Sequence, residues 1–253
     1  MSTASTSPSE IVTAAVLVIG DEILSGRTKD KNIGHIADHL TAIGIQLREV
    51  RIVPDIEDEI VNALNALRTR YNYVFTTGGI GPTHDDITAD AVAKAFGVGI
   101  DVDERALTPM KAYFERRGVE LTPARLRMAR IPFGAELVEN SISIAPGFML
   151  GNVIVMAGGP SIIAVMLEAA TKFLKTGKKM LSEGVELHRP EGEIAAAFEA
   201  HQKKYPEVSM GSYPFSRDGK PGTQLVLRSI HPEMLAQAYA EWKAICAEKG
   251  WLA

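Results

Sequence analysis

The chain has 253 residues, 46% hydrophobic and 23% charged, a globular composition with room for one large domain or a medium and a small one. A net charge of −4 without any Lys/Arg block excludes the electrostatic footprint of a nucleic-acid binder. A lone Cys246 forms no internal disulfide and points to a reducing, cytoplasmic setting, its thiol a small apolar filler on the last helix.

Residues 1–10 are Ser/Thr-rich, carry no positive n-region and bury almost nothing, so a disordered tail is expected there rather than a signal peptide. The apolar run 14–19 is too short to span a membrane and reads as a strand covered on both faces of a parallel sheet. It ends in Gly20-Asp21-Glu22. A helix is predicted from about Asn32, with Ile33, Ile36, Leu40 and Ile43 on one face and Gly44 as its stop. Strand 45–53, a helix aligned on Ile56, Ile60, Leu64 and Leu67, strand 73–75, a glycine loop and helix 89–96 follow. This alternation builds a parallel sheet with helices on both faces, and such sheets bind ligands beyond the carboxyl ends of their strands.

A helix over 103–117 is stopped by Gly118 and leads into an irregular basic stretch with Arg125, Arg127 and Arg130. These arginines meet an anionic ligand or an acidic partner, or else form a solvated face. Strands are predicted at 135–138, 147–150 and 153–157, the last two joined by a tight Gly151-Asn152 turn. Gly158-Gly159-Pro160 is a further glycine-rich loop at a strand end, before helix 161–176. From 178 the order is strand 180–187, helix 193–204, strand 208–215, a turn at 217–220, strand 224–229 and helix 232–249. That β-α-β-β-α order implies a small α+β unit. The expected organisation is therefore a tail over 1–10, a main domain over 11–177 and a small domain over 178–253.

The chemistry concentrates between Thr76 and Thr88. Glycine at 78, 79 and 81 removes three β-carbons, so backbone N–H groups can turn toward a phosphate. Thr83 adds a hydroxyl, Gly158 and Gly159 extend the phosphate surface, and Thr88 is read as the N-cap of the next helix. Asp85 and Asp86 would repel a phosphate unless a divalent cation such as Mg²⁺ lies between, so both are candidate metal ligands, with Glu22 as a third. Asp21 and Asp86 are the candidate catalytic carboxylates. The alternative is that Asp85 and Asp86 are helix-dipole partners, worth under about 1 kcal/mol each when exposed. Arg27 either closes over a phosphate or is solvated. His35 and His39 have zinc-helix spacing but no third ligand, so a solvent-facing pair is expected. His84 has a place in the key loop. Gly219-Lys220 lacks a P-loop frame, and the first strand lacks the dinucleotide fingerprint of a dehydrogenase.

Taken together, these residues resemble the molybdopterin-binding superfamily of MoaB, MogA and MoeA type domains, and most closely the N-terminal domain of the CinA competence/damage-inducible family. Gly-Asp-Glu-Ile-Leu-Ser-Gly at 20–26, with Asp30 and Asn32, is similar to the family's GDE-L-x-G and D-x-N signature. Residues 77–88 match its TGG-(L/I)-GPT-x-DD-x-T motif, and Asn140 with Ala145-Pro146-Gly147-Phe148 resembles N-x-x-G-x-APGF, Ser143 replacing a glycine. The family's LPG-x-P-x-EM turn appears as Met156-Ala157-Gly158-Gly159-Pro160-Ser161-Ile162-Ile163, without the first proline and the acidic residue. The resemblance covers about residues 11–175. It implies a three-layer α/β/α sandwich with a mostly parallel sheet, binding a pterin phosphate or nucleotide diphosphate as a homo-oligomer. It also implies metal-dependent hydrolysis of ADP-ribose, as associated with CinA-type domains, and a link to FAD synthetases, to which a similar domain is fused. The chain leaves no room for the nicotinamide-nucleotide amidase domain of longer CinA proteins, so deamidation is not expected.

Three functions remain open on these grounds. The first is a metal-dependent ADP-ribose or FAD-type pyrophosphatase. The second is a molybdopterin-binding protein of cofactor biosynthesis. The third is a nucleotide- or pterin-binding module without turnover, as the altered 158–163 turn would allow.

Overall fold

The computed structural model describes residues 11–252, so the tail expected at 1–10 lies outside the described residues. The chain divides into two compact units, with the boundary after Gly177. In the first, β1 (Val12–Ile19), the short α1 (Asp21–Leu24), α2 (Asn32–Ala42), β2 (Ile45–Val53), α3 (Glu57–Arg68), β3 (Tyr73–Thr77) and α4 (Thr88–Phe96) form the alternating run. β4 (Ile100–Val102), α5 (Glu104–Arg116), α6 (Pro123–Leu126), a 3-10 turn at Arg127–Ala129 and β5 (Arg130–Pro132) come next. β6 (Glu136–Val138), β7 (Gly147–Leu150), β8 (Val153–Met156) and α7 (Pro160–Thr171) complete the unit.

The main sheet has the order β2-β1-β3-β8-β7-β6. β2, β1, β3 and β8 run parallel, and β7 is antiparallel to both its neighbours. Successive β1 residues point to opposite faces, as the pleat requires. Ala15, Leu17 and Ile19 pack with Ile60, Leu64, Val92 and Met110 from α3, α4 and α5. Val16 and Val18 pack with Ile36, Leu40, Ile163 and Met166 from α2 and α7. The result is the expected three-layer sandwich, and each fully buried Leu, Ile or Phe contributes roughly 1.5–3 kcal/mol.

Two local expectations are corrected. Thr88 is not a cap: it is the first residue of α4, and its hydroxyl donates to the Gly78 carbonyl at 3.0 Å. The basic stretch is not an irregular solvated face: β5 pairs antiparallel with β4, and the Arg130 guanidinium grips Asp90 of α4 through two bonds of 2.7 and 2.9 Å.

The second unit contains β9 (Leu181–Leu187), α8 (Glu191–Lys204), β10 (Ser209–Arg217), β11 (Lys220–Ser229) and α9 (Pro232–Glu248). Its antiparallel sheet has the order β10-β11-β9, with Leu225, Leu227, Ile194, Phe198 and Trp242 in the core. Asp218 and Gly219, with φ of 51° and 75°, make the hairpin turn, the left-handed pair that matches strand twist. Trp242 is fully buried, and the ring of Trp251 lies 6.3 Å from it. Among the described residues, no helix is long and apolar enough to cross a membrane.

Candidate functional site

Four loops meet at the carboxyl ends of β1, β2, β3 and β8. Gly20 anchors the first to the second, its N–H donating to the Val53 carbonyl at 3.1 Å. The Asp21 N–H then donates to the Asp55 carboxylate at 2.9 Å. Asp55 lies just past β2 and is half-buried. Burial pushes its carboxyl above the ordinary range, and the charges of Glu22, Asp21 and Asp85 push it further, while the Asp21 N–H acts in the opposite sense. Asp85 is shifted the other way: the Thr83 hydroxyl, which it shares with Asp86, its own N–H and then His84 keep its carboxylate below the usual range. Two carboxyls of one crevice are thus shifted in opposite directions.

The glycine loop is built to one shape. Gly78 has φ 104°, and a β-carbon there would lie 2.1 Å from the Ile19 carbonyl oxygen. Gly79 has φ 68°, and a β-carbon would lie 2.2 Å from the Thr88 hydroxyl. The Thr88 N–H closes the turn onto the Gly79 carbonyl at 3.0 Å. Asp86 folds back over the loop, accepting the N–H of Gly81 and of Thr83, each at 2.7 Å, and the Thr83 hydroxyl. Arg127 holds the same segment from behind, donating to the Asp86 carbonyl at 3.1 Å.

These bonds divide the expected roles differently. The Gly78 N–H is engaged by the Met156 carbonyl at 3.3 Å, and those of Gly81 and Thr83 by Asp86. The backbone N–H groups of Gly79, Ile80, Gly158 and Gly159 have no acceptor among the described residues, which leaves them for an anion. Both Asp86 oxygens accept hydrogen bonds within its own loop, which gives the carboxylate a part in shaping that loop. Among the described residues, no three His, Cys, Asp or Glu side chains are gathered closely enough to hold a metal by themselves. Asp85, Asp86 and Glu22 therefore do not make a ready cage. Mg²⁺ seldom needs one, since it keeps waters and binds through one or two carboxylates plus substrate phosphates. Glu22 and Asp85 fit that mode.

Asp55 is the functional candidate that sequence reasoning missed. The available signal was its position, an acid directly after a strand at the crevice. His35 is exposed, and His39 bonds the Thr171 hydroxyl at 2.9 Å, so the two do not form a solvent-facing pair. His84 is exposed at the loop tip, 4.0 Å from Asp85, and Arg27 is exposed. Asn140 ties its segment together by accepting the N–H groups of Ile142 and Ser143 and donating to the Ser143 hydroxyl and the Ala145 carbonyl. Ile144 is thereby held at φ 67°, a left-handed conformation that costs a β-branched residue about 1–2 kcal/mol. Next to this turn, Pro146 lines a shallow pocket beside the glycine loop, together with Asp90, Arg127 and Arg130.

Residues 15–176 match the family described as probable molybdopterin binding domain. The chain belongs to that family. Residues 179–251 match a second description, FAD synthase, middle domain, so the two matches fall on the two compact units. A protein of Pyrobaculum arsenaticum is 33% identical over 240 residues, spanning 91% of this chain and 88% of the relative. The crystal structure of the protein CinA, of unknown function, from Thermoplasma acidophilum is 36% identical, with a TM-score of 0.59. That match covers 65% of this chain and 99% of the CinA chain. This chain is thus a CinA-like member whose second unit matches the description FAD synthase, middle domain.

Proposed function

We propose that this protein is a metal-dependent pyrophosphatase acting on nucleotide diphosphates of the ADP-ribose or FAD type. The observation that carries the reading is the opposed pair of carboxyls in one crevice, Asp55 raised and Asp85 lowered, beside unengaged N–H groups. The N–H groups of Gly79, Ile80, Gly158 and Gly159 receive phosphate oxygens, with Thr83 at the rim. Glu22 and Asp85 hold a divalent ion, which offsets the charge of the diphosphate and polarises it. Asp55 takes the proton from a water that attacks one phosphorus, while the P–O–P bridge breaks and the second phosphate leaves as a monoester. Asp21 keeps that carboxylate in place through its N–H. Asp86 holds the loop.

Phosphate release from ADP-ribose, FAD and NAD, coupled to a phosphatase, with Mg²⁺, Mn²⁺ or Co²⁺ against EDTA, tests this. The expected result is metal-dependent turnover abolished by Asp55→Asn. Absence of turnover with every substrate and metal would overturn it. The second reading, binding of a pterin phosphate without turnover, is favoured by the match of residues 15–176 to a probable molybdopterin binding domain. It predicts a raised melting temperature with ligand and no phosphate release.

A further inference from the structure

Asn32 opens α2 and is 6% exposed. Both of its amide hydrogens are engaged: Nδ2 donates to the Thr77 hydroxyl at 2.9 Å and to the Gly158 carbonyl at 2.7 Å. That fixes the orientation of the amide, because turning it over would set its oxygen against the Gly158 carbonyl, which only accepts. The remaining acceptor, Asn32 Oδ1, is buried and meets no donor among the described residues. Such an atom needs an explanation, since buried polar groups in folded proteins are almost always paired.

Asn32 is in the wall of an open cleft between the end of β1, the segment before α2 and the Gly158 turn. Ile19, Ile23 and Pro160 give it apolar surface suited to a flat ring. Gly78 and Gly158 border both this cleft and the N–H groups left for an anion, so a ligand with its phosphates on those groups reaches the cleft with its ring.

We propose that Asn32 Oδ1 accepts a hydrogen bond from the exocyclic amine of a heterocycle seated in this cleft, making Asn32 a specificity-determining residue that selects amino rings over oxo rings. The inference rests on the phosphate-site reading above. An oxo group at the same place would set one acceptor against another, which a site built on hydrogen bonding rejects.

Direct calorimetric binding to the full chain tests it with two matched pairs and one ring-free probe. The pairs are ADP-ribose against inosine diphosphate ribose, and 6-carboxypterin against 6-carboxylumazine; the ring-free probe is pyrophosphate. In at least one pair the amino member is expected to bind about tenfold tighter or more. In Asn32→Ala the ratio falls to near one while pyrophosphate affinity holds. Because that variant also loses two bonds and its folding is uncertain until its melting curve is measured, the pairs on the unaltered protein decide the matter alone. Equal affinity within both pairs, or an oxo member bound more tightly, overturns the role of Asn32. So does binding of pyrophosphate with no binding of any ring, and in each of these cases the phosphate site stands. Failure of every probe, pyrophosphate included, overturns both.

Discussion

The carboxylate of Asp86 accepts the N–H of Gly81 at 2.7 Å, five residues back along its own loop. Its second oxygen accepts from the Thr83 N–H and hydroxyl. Asp86→Ala therefore removes the acceptor for two backbone N–H groups and is expected to lower stability by about 1–2 kcal/mol, the scale of a lost capping side chain. Thermal melts check this, and Asp86→Asn, which retains one acceptor oxygen, should lose less. An unchanged melting temperature in Asp86→Ala would show that the carboxylate does not hold the loop.

The two glycine loops should respond differently to a methyl group. Gly79→Ala imposes a left-handed φ on alanine, costing about 1–2 kcal/mol, and drives the new carbon into the Thr88 hydroxyl at 2.2 Å. At Gly158 the nearest atom would be the Gly78 α-carbon at 3.4 Å, an ordinary contact. Gly158→Ala is therefore expected to melt close to the unaltered protein, while Gly79→Ala melts well below it.

Stability should also depend on Asp55 in a definite sense. Its carboxyl is raised above 3.8, so between 3.8 and the folded value the folded chain holds more protons than the unfolded one. Stability contributed at this site then falls as pH rises through that window and stays reduced above it. Asp55→Asn removes the titration while keeping an oxygen to accept the Asp21 N–H. The variant should melt higher than the unaltered protein at pH 7, with the difference vanishing below pH 3.8, and lose about 100-fold or more in turnover. A lower melting temperature at pH 7 would mean that burial does not oppose the charge.

Asp85 is exposed, so its removal should leave the fold alone. Asp85→Asn and Glu22→Gln are each expected to raise the metal concentration for half-maximal activity by about tenfold, without a shift in melting temperature. Activity unchanged in both variants and in EDTA would remove the metal from the mechanism.

Much of this arrangement is legible in the sequence. The runs that became β1 and β3 are continuous and apolar because helices cover both faces of the sheet, and the 77–88 motif fixes the loop between strand and helix. What escaped has physical reasons. β4 and β5 are three-residue strands, too short to show a period of two. Arg127 and Arg130 carry nothing in their neighbours to say that Asp86 and Asp90, some forty positions earlier, await them. Asp55 follows a proline and reads as turn punctuation, because its raised pKa comes from burial in the folded crevice and then from the charges of Glu22, Asp21 and Asp85. Thr88 has the chemistry of a cap, yet the tight Gly78-Gly79 turn brings a carbonyl within its reach and draws the hydroxyl inward.

The aromatic cluster of the second unit has an optical consequence. Both tryptophans of the chain, Trp242 and Trp251, belong to that unit, and none occurs before Gly177. Indole emission therefore follows the melting of the FAD synthase-type unit alone, while far-ultraviolet dichroism follows both. Coincident transitions would show one cooperative molecule, and separated ones two units that unfold independently.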